Sequence, residues 1–313
     1  MHVSDIILAQ RRIQPYVRRT LLERSETLSG RFGANVFVKY ELFQKTGSFK
    51  ARGAFNKLLS LNEDDRRRGI VAVSGGNHAQ AVAYAATALG LESVIVMPES
   101  TPQNYVDATR EYGAKIDLQP SIAAAFEKID EYKAKGMTFV HPFDDQLVMA
   151  GQGTLGLEVM EDVPGATDVI VSIGGGGLAG GVATAIKSIK SQTKVWGVET
   201  IGAHAMSEAL AAGRPIQIEI TSIAKTLAAP AVSEATLALA QKYLESVTLV
   251  SDAEAVDAIA YIAERLKVLT EPAASCTLAA AERLRDNFGP QSNVVLILCG
   301  GNQSIGALCG YLE

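Results

Sequence analysis

The sequence predicts an α/β protein of two lobes, with parallel sheets flanked by helices, and three observations carry that expectation. From about residue 70 onward, short apolar runs alternate with longer segments of helical period, the pattern of βαβ units whose sheets are covered on both faces. Three of these runs lead into glycine-rich loops, SGGNHAQ, GGGGLAGG and CGGNQS, and in open α/β sheets ligands bind beyond the carboxyl ends of the strands. At 313 residues the chain exceeds the size at which one core usually keeps growing.

In chain order, the runs that read as strands are 70–74, 93–97, 114–118, 168–173, 194–198 and 293–298. The helical segments between and after them are 77–89, 121–135, 151–162, 178–190, 252–267 and 272–287, most of them rich in alanine. The polar stretch NEDDRRRG and the interruption HPFDD read as crossings between lobes. The expected organisation is a discontinuous large domain, 1–65 with 145–313, and a smaller α/β domain, 66–144, inserted between its parts.

Hydrophobic residues make up 48% and charged residues 20%, an ordinary globular balance. A net charge of −5, with no basic run apart from short arginine clusters at 11–12, 18–19 and 66–68, argues against a nucleic-acid partner. The N-terminus lacks the pattern of a signal peptide, and the apolar runs are too short to span a bilayer. A cytoplasmic protein without membrane contact is expected. Cys276, Cys299 and Cys309 show no CxxC spacing, so neither a disulfide framework nor a zinc site is indicated, and each reads as a small buried hydrophobe.

The stretch KTGSFKARG, residues 45–53, places Lys50 after the turn formers Thr46, Gly47 and Ser48 and before a run of helical period. A helix N-terminus carries partial positive charge, so a cation is unfavourable there, and Arg52 adds a second. Lys50 is either a solvated surface residue or a lysine whose depressed pKa lets its neutral amine attack a carbonyl.

The segment DVIVSIGGGGLAGG satisfies a dinucleotide fingerprint, with Gly175, Gly177 and Gly180 as GxGxxG and Glu199 about twenty residues on. A nicotinamide site and any other phosphate cradle share the same physics, backbone N–H groups at a helix N-terminus. Both remain open on this segment alone.

KTGSFKARGA, SGGNHAQ, GGGGL and CGGN occur in that order, and together they resemble the fold-type-II pyridoxal-phosphate enzymes, specifically the serine/threonine dehydratase and serine racemase group, over essentially the whole chain. The resemblance implies a two-lobed fold similar to the tryptophan synthase β chain, pyridoxal 5'-phosphate as cofactor, and a homodimer. It makes Lys50 the lysine that holds the cofactor as a Schiff base, with Phe49 against one ring face and Asn77 on the ring hydroxyl. Gly174, Gly175, Gly176, Gly177 and Leu178 resemble the phosphate cradle, and Cys299 stands at the position facing the pyridine nitrogen. Ser74, a second candidate catalytic residue, would hold the substrate carboxylate together with Gly75, Gly76 and His78. By residue type, Asn77 also reads as the N-cap of a helix over 78–89, His78 as a polar first-turn residue, and Cys299 as a buried thiol. Lys45 does not fit the SxK spacing of the family motif.

Departures from the pattern sharpen the expectation. Cys299 replaces the serine of many members, and neither group can keep a pyridine nitrogen protonated as an aspartate does; the resulting weak electron sink suits β-elimination better than transamination. Serine racemases carry a second serine where Gly75 stands, so elimination from one enantiomer is expected rather than racemisation. Racemase-type metal sites match Glu199 and Ala203 but place an aspartate where this chain has Ala205, so no metal ligand is assigned and a cation near Glu199 stays open. At 313 residues, neither the regulatory domain of the isoleucine-controlled threonine deaminases nor feedback inhibition by isoleucine is expected.

The expected activity is an ammonia-lyase acting on L-threonine and L-serine. Phenylserine or 3-hydroxyaspartate dehydration and serine racemisation are the alternatives within the family. An NAD-dependent oxidoreductase and a non-catalytic binding protein are the alternatives outside it.

Overall fold

The computed structural model describes residues 1–312. Their strands, in chain order, are β1 (Leu22–Arg24), β2 (Asn35–Lys39), β3 (Ile70–Val73), β4 (Ser93–Pro98), β5 (Lys115–Gln119), β6 (Thr138–Phe139), β7 (Asp168–Ser172), β8 (Lys194–Thr200), β9 (Ser246–Val250) and β10 (Asn293–Ile297). They form two sheets. The six-stranded sheet has the order β1-β2-β10-β7-β8-β9, parallel except for the antiparallel edge strand β1. The four-stranded sheet, β5-β4-β3-β6, is parallel throughout. The expected parallel sheets with covering helices are therefore present.

The central strands are apolar on both faces because helices cover both. β3 and β7 have every residue buried, as the continuous apolar runs require. The main core joins β2, β7, β8 and β10 to the helices Gly177–Ile189 and Pro272–Arg283 through Val36, Val169, Val182, Val195, Ala280 and Val295. A second cluster gathers Ile70, Ala72, Ile95 and Met97 with Ala51, Ala54, Phe55 and Leu58 of the helix Lys50–Leu59. That helix packs against the helices Gln146–Asp162 and Asn77–Ala88, while its N-terminus faces the loops of the six-stranded sheet.

Several elements escape the pattern reading. The N-terminal segment forms a helix, Val3–Ile13, that buries Ile6, Ala9 and Ile13. β2 and β9 are half-buried strands with mixed polarity. The helix expected from 151 begins at Gln146, because Asp145 caps it by accepting the N–H groups of Leu147 and Val148. The stretch expected as one helix over 272–287 ends at Arg283 and continues as a 3-10 turn, Arg285–Asn287. Cys276 and Cys299 are buried as expected, but Cys309 is exposed.

Candidate active site

β10 and β7 are parallel neighbours, so the loops that leave their carboxyl ends, CGGN and GGGG, emerge side by side. The helix Lys50–Leu59 points its first residue at them. One cavity brings together Phe49, Lys50, Asn77, Gly174, Gly175, Gly176, Gly177, Leu178 and Cys299. Ser74, Gly75, Gly76 and His78 do not line it, although they adjoin Asn77 in the chain.

Lys50 is the first residue of its helix, and its Nζ donates to the carbonyl of Pro142 at 2.7 Å. Burial among protein atoms pushes its pKa down to about 8, against the opposing pull of Cys299 and Glu271. The solvated-surface alternative fails on this point. Arg52, two residues on, is buried and bound by Glu41 (Oε2 at 2.8 Å, Oε1 at 2.7 Å) and Glu158 (Oε1 at 2.7 Å, Oε2 at 2.9 Å). Lys39 completes the cluster at 2.6 Å from Glu158, so two cations and two carboxylates neutralise one another beneath the start of the helix. Lys45 lies in a separate 3-10 turn with its Nζ over the Tyr84 ring.

The glycine loop begins the helix Gly177–Ile189, with Gly176 left-handed at φ 89° as its N-cap. Bare backbone is required here. A Cβ on Gly175 would fall 2.1 Å from Phe143 Cδ1, and one on Gly174 would fall 3.1 Å from the Leu227 carbonyl oxygen. The first N–H groups of such a helix have no partner within it, which suits an anion. The dinucleotide reading loses its ribose carboxylate: Glu199 is fully buried and accepts the N–H groups of Met206 and Ser207, both at 2.9 Å, and the Ser207 hydroxyl at 2.7 Å.

Asn77 is not an N-cap. It is the first residue of the helix Asn77–Ala88, which Gly76 caps without a side-chain bond. Its Nδ2 donates to both oxygens of Glu271, at 2.8 and 3.1 Å, and its Oδ1 accepts from Asn302 Nδ2 at 2.8 Å. His78 turns away to place Nε2 2.9 Å from the Val140 carbonyl, and burial drives its pKa down to about 3, so it is neutral. Ser74 Oγ accepts the N–H of Gly76 at 3.1 Å. Cys299 is buried beside Ala273, and burial raises its thiol pKa well above the ordinary value.

Glu271 is a titratable cavity residue that the sequence does not single out. It is fully enclosed, also accepts from Thr226 Oγ1 at 2.9 Å, and burial pushes its pKa up to about 7. In sequence it precedes Pro272 at a helix start, where an acidic residue reads as a cap, yet its side chain makes no cap bond. Ser172, Thr226, Leu227, Ala273 and Phe143 also line the cavity.

This set fits pyridoxal phosphate. An amine of depressed pKa, a side-chain-free anion cradle at a helix N-terminus, an aromatic ring at Phe49, an amide at Asn77 and a neutral thiol at Cys299 converge on one cavity.

Comparison with known proteins agrees with that chemistry. The family model described as pyridoxal-phosphate dependent enzyme matches residues 13–300. An L-threonine ammonia-lyase of Thermotoga maritima is 42% identical over 303 residues, covering 96% of this chain and 75% of that protein. A catabolic L-threonine dehydratase of Staphylococcus aureus is 38% identical over 317 residues, covering 99% and 92%. Among solved structures, maize serine racemase superposes with a TM-score of 0.94 at 33% identity, covering 99% of this chain and 96% of that one. A threonine deaminase of T.th. gives a TM-score of 0.91 at 36% identity, covering 97% and 99%. On a family match that spans most of its length, the chain belongs to the pyridoxal-phosphate dependent enzymes, in the fold-type-II serine/threonine dehydratase group.

Proposed function

We propose that this chain is a pyridoxal-phosphate dependent ammonia-lyase that removes water from L-threonine and L-serine to give a 2-oxo acid and ammonia. The observation that carries the proposal is Lys50, an amine with its pKa lowered to about 8, facing a glycine cradle in a shared cavity. Relatives named as threonine ammonia-lyases and dehydratases support the same substrate class.

When bound, pyridoxal phosphate supplies a carbonyl for amine capture and a sink for the electrons of the substrate α-carbon. The chain's residues do the rest. Lys50, neutral for a useful fraction of the time near neutral pH, holds the cofactor and then takes the α-proton on its own face. The N–H groups of Gly174 to Leu178 would hold the phosphate, Phe49 would cover one ring face, and the Asn77 amide would serve the ring hydroxyl. Cys299, a neutral thiol, would face the ring nitrogen, an arrangement that would favour loss of the β-hydroxyl over prolonged storage of charge at the α-carbon. Ser74 and the backbone of Gly75 and Gly76, with neutral His78 behind them, lie at the start of the helix Asn77–Ala88, where a substrate carboxylate is stabilised.

Part of the same proposal is a cytoplasmic homodimer organised as a large domain, 1–65 with 145–313, and an inserted one, 66–144. Each of these contains one of the two sheets, and among the described residues no helix is long and apolar enough to cross a membrane.

The test is to load purified protein with pyridoxal phosphate and assay 2-oxobutanoate and ammonia from L-threonine, with L-serine, phenylserine and 3-hydroxyaspartate alongside. Fastest release from L-threonine or L-serine is expected. Faster turnover of phenylserine or 3-hydroxyaspartate, or no 2-oxo acid at all, would refute the assignment.

A further inference from the structure

We infer that Glu271 and Asn302 act as a pair of positioning residues that lock the Asn77 amide in one orientation, with its second N–H free for the cofactor. An asparagine amide can sit in either of two flips, and a buried one is set by its partners. Here both ends of Asn77 are specified. Glu271, an acceptor while ionised, takes a hydrogen from Nδ2. Asn302 gives a hydrogen from its own Nδ2 to Asn77 Oδ1.

Asn302 is itself oriented, because its Nδ2 also donates to the Thr46 carbonyl at 2.7 Å. Glu271 is steadied by the Thr226 hydroxyl. With Glu271 ionised, flipping Asn77 would set its oxygen against a carboxylate and its NH2 against an NH2, two like-with-like contacts between groups of which Asn77 and Glu271 are buried and Asn302 half-buried. Of the two Nδ2 hydrogens, Glu271 takes one, which leaves the other for a ligand in the cavity that Asn77 and Lys50 both line. The arrangement draws on three segments far apart in the chain and on no single motif.

This inference rests on the functional reading above, in which Asn77 serves the ring hydroxyl. It is tested on stripped and reloaded holoenzyme by the dissociation constant for pyridoxal 5'-phosphate and by the position of the visible absorption band. Glu271→Ala and Asn302→Ala should each weaken cofactor binding on the order of tenfold, the scale of one charge-assisted hydrogen bond, and should shift the band. Glu271→Gln, which keeps an acceptor for Asn77, should restore most of the affinity.

The decisive measurement is a double-mutant cycle. If Glu271 acts through Asn77, then Asn77→Ala and Asn77→Ala with Glu271→Ala should lose the same affinity. Losses that add independently would overturn the inference. So would an unchanged dissociation constant and band in Glu271→Ala. Should Glu271→Ala fail to fold, Asn302→Ala completes the cycle with Asn77→Ala on the same criterion. Absence of any visible band in the unmutated protein would overturn the functional reading as well, which separates the two failures.

Discussion

The backbone N–H of Phe49 donates to the carbonyl of Cys299 at 3.0 Å. That bond is one rung of a ladder between residues 46–49 and 299–302. Ser48 bridges Gly300, Gly301 donates to the Gly47 carbonyl at 3.0 Å, and Asn302 holds the Thr46 carbonyl. Thr46 is kept at φ 60°, a left-handed conformation that costs a threonine about 1–3 kcal/mol and persists only where neighbours enforce it. The loop after the last strand therefore fastens the segment that delivers Lys50 into the cavity.

Lys50→Ala should abolish both the visible cofactor band and turnover, whereas Lys45→Ala, whose amine lies over Tyr84, should retain the band. Near wild-type threonine dehydration by Lys50→Ala would remove Lys50 from the mechanism. Burial lowers the Lys50 pKa to about 8, and only the neutral amine attacks a carbonyl. Stripped protein should therefore regain the band faster as pH rises and level off above about 8. A rate that keeps climbing towards the ordinary lysine value of 10.5 would show an unperturbed amine.

The glycine loop yields a steric prediction. Even the methyl of Gly175→Ala would meet the Phe143 ring at 2.1 Å, closer than carbon atoms approach, so cofactor affinity should fall. Gly175→Asp should fall further, because its charge also repels the roughly two negative charges of the phosphate. Adding Phe143→Ala to Gly175→Ala should recover part of the loss, read as cofactor retained after dialysis. Full retention by Gly175→Asp alone would mean that the phosphate binds elsewhere.

These residues are legible in the sequence to different depths. Lys50 and the glycine loop can be read because each lies in a contiguous motif with strong local constraints, a turn before a helix or backbone without side chains. Glu271 and Asn302 work through a partner 194 and 225 residues away, and neither residue type announces such a contact. β2 is similar: it ends on Lys39, a residue type rarely buried, yet Lys39 is enclosed where Glu158, 119 residues later, neutralises it. Asn77 shows the converse error, since its type suggests a cap while its position inside the helix frees the amide for the cavity.

The buried cluster of Lys39, Glu41, Arg52 and Glu158 should contribute to acid sensitivity through Glu158. Burial pushes the Glu158 carboxyl up, but Arg52 and Lys39 outweigh it and hold the pKa below the ordinary 4.5. A depressed carboxylate contributes stability that is fully present above 4.5 and is lost as pH falls through the lower folded value. Glu158→Gln should cost about 3–5 kcal/mol near neutral pH, since it leaves a buried cation in excess, and should flatten the loss of stability below pH 4.5. Urea unfolding across the acid range measures both effects, and an unchanged acid profile would place the sensitivity elsewhere.

Gly75 tests the separation between eliminase and racemase. With L-serine the protein should yield pyruvate and negligible D-serine, because Lys50 serves one face of the α-carbon and Gly75 offers no proton on the other. The structure adds a condition to the obvious variant. A Cβ at position 75 would fall 2.6 Å from Thr101 Oγ1, a buried hydroxyl with no hydrogen-bond partner among the described residues. Gly75→Ser alone should therefore displace Thr101 and lower dehydration without a compensating gain. Gly75→Ser combined with Thr101→Ala makes room for the new hydroxyl. That double variant should release D-serine if the hydroxyl comes within about 2.6–3.2 Å of the α-carbon on the face opposite Lys50, directly or through one water, and so can return a proton there, though slowly, since a serine needs an activating partner near neutral pH. Chiral chromatography after incubation with L-serine reads the outcome. Substantial D-serine from the unmutated protein would defeat the one-face argument and move the function towards racemisation.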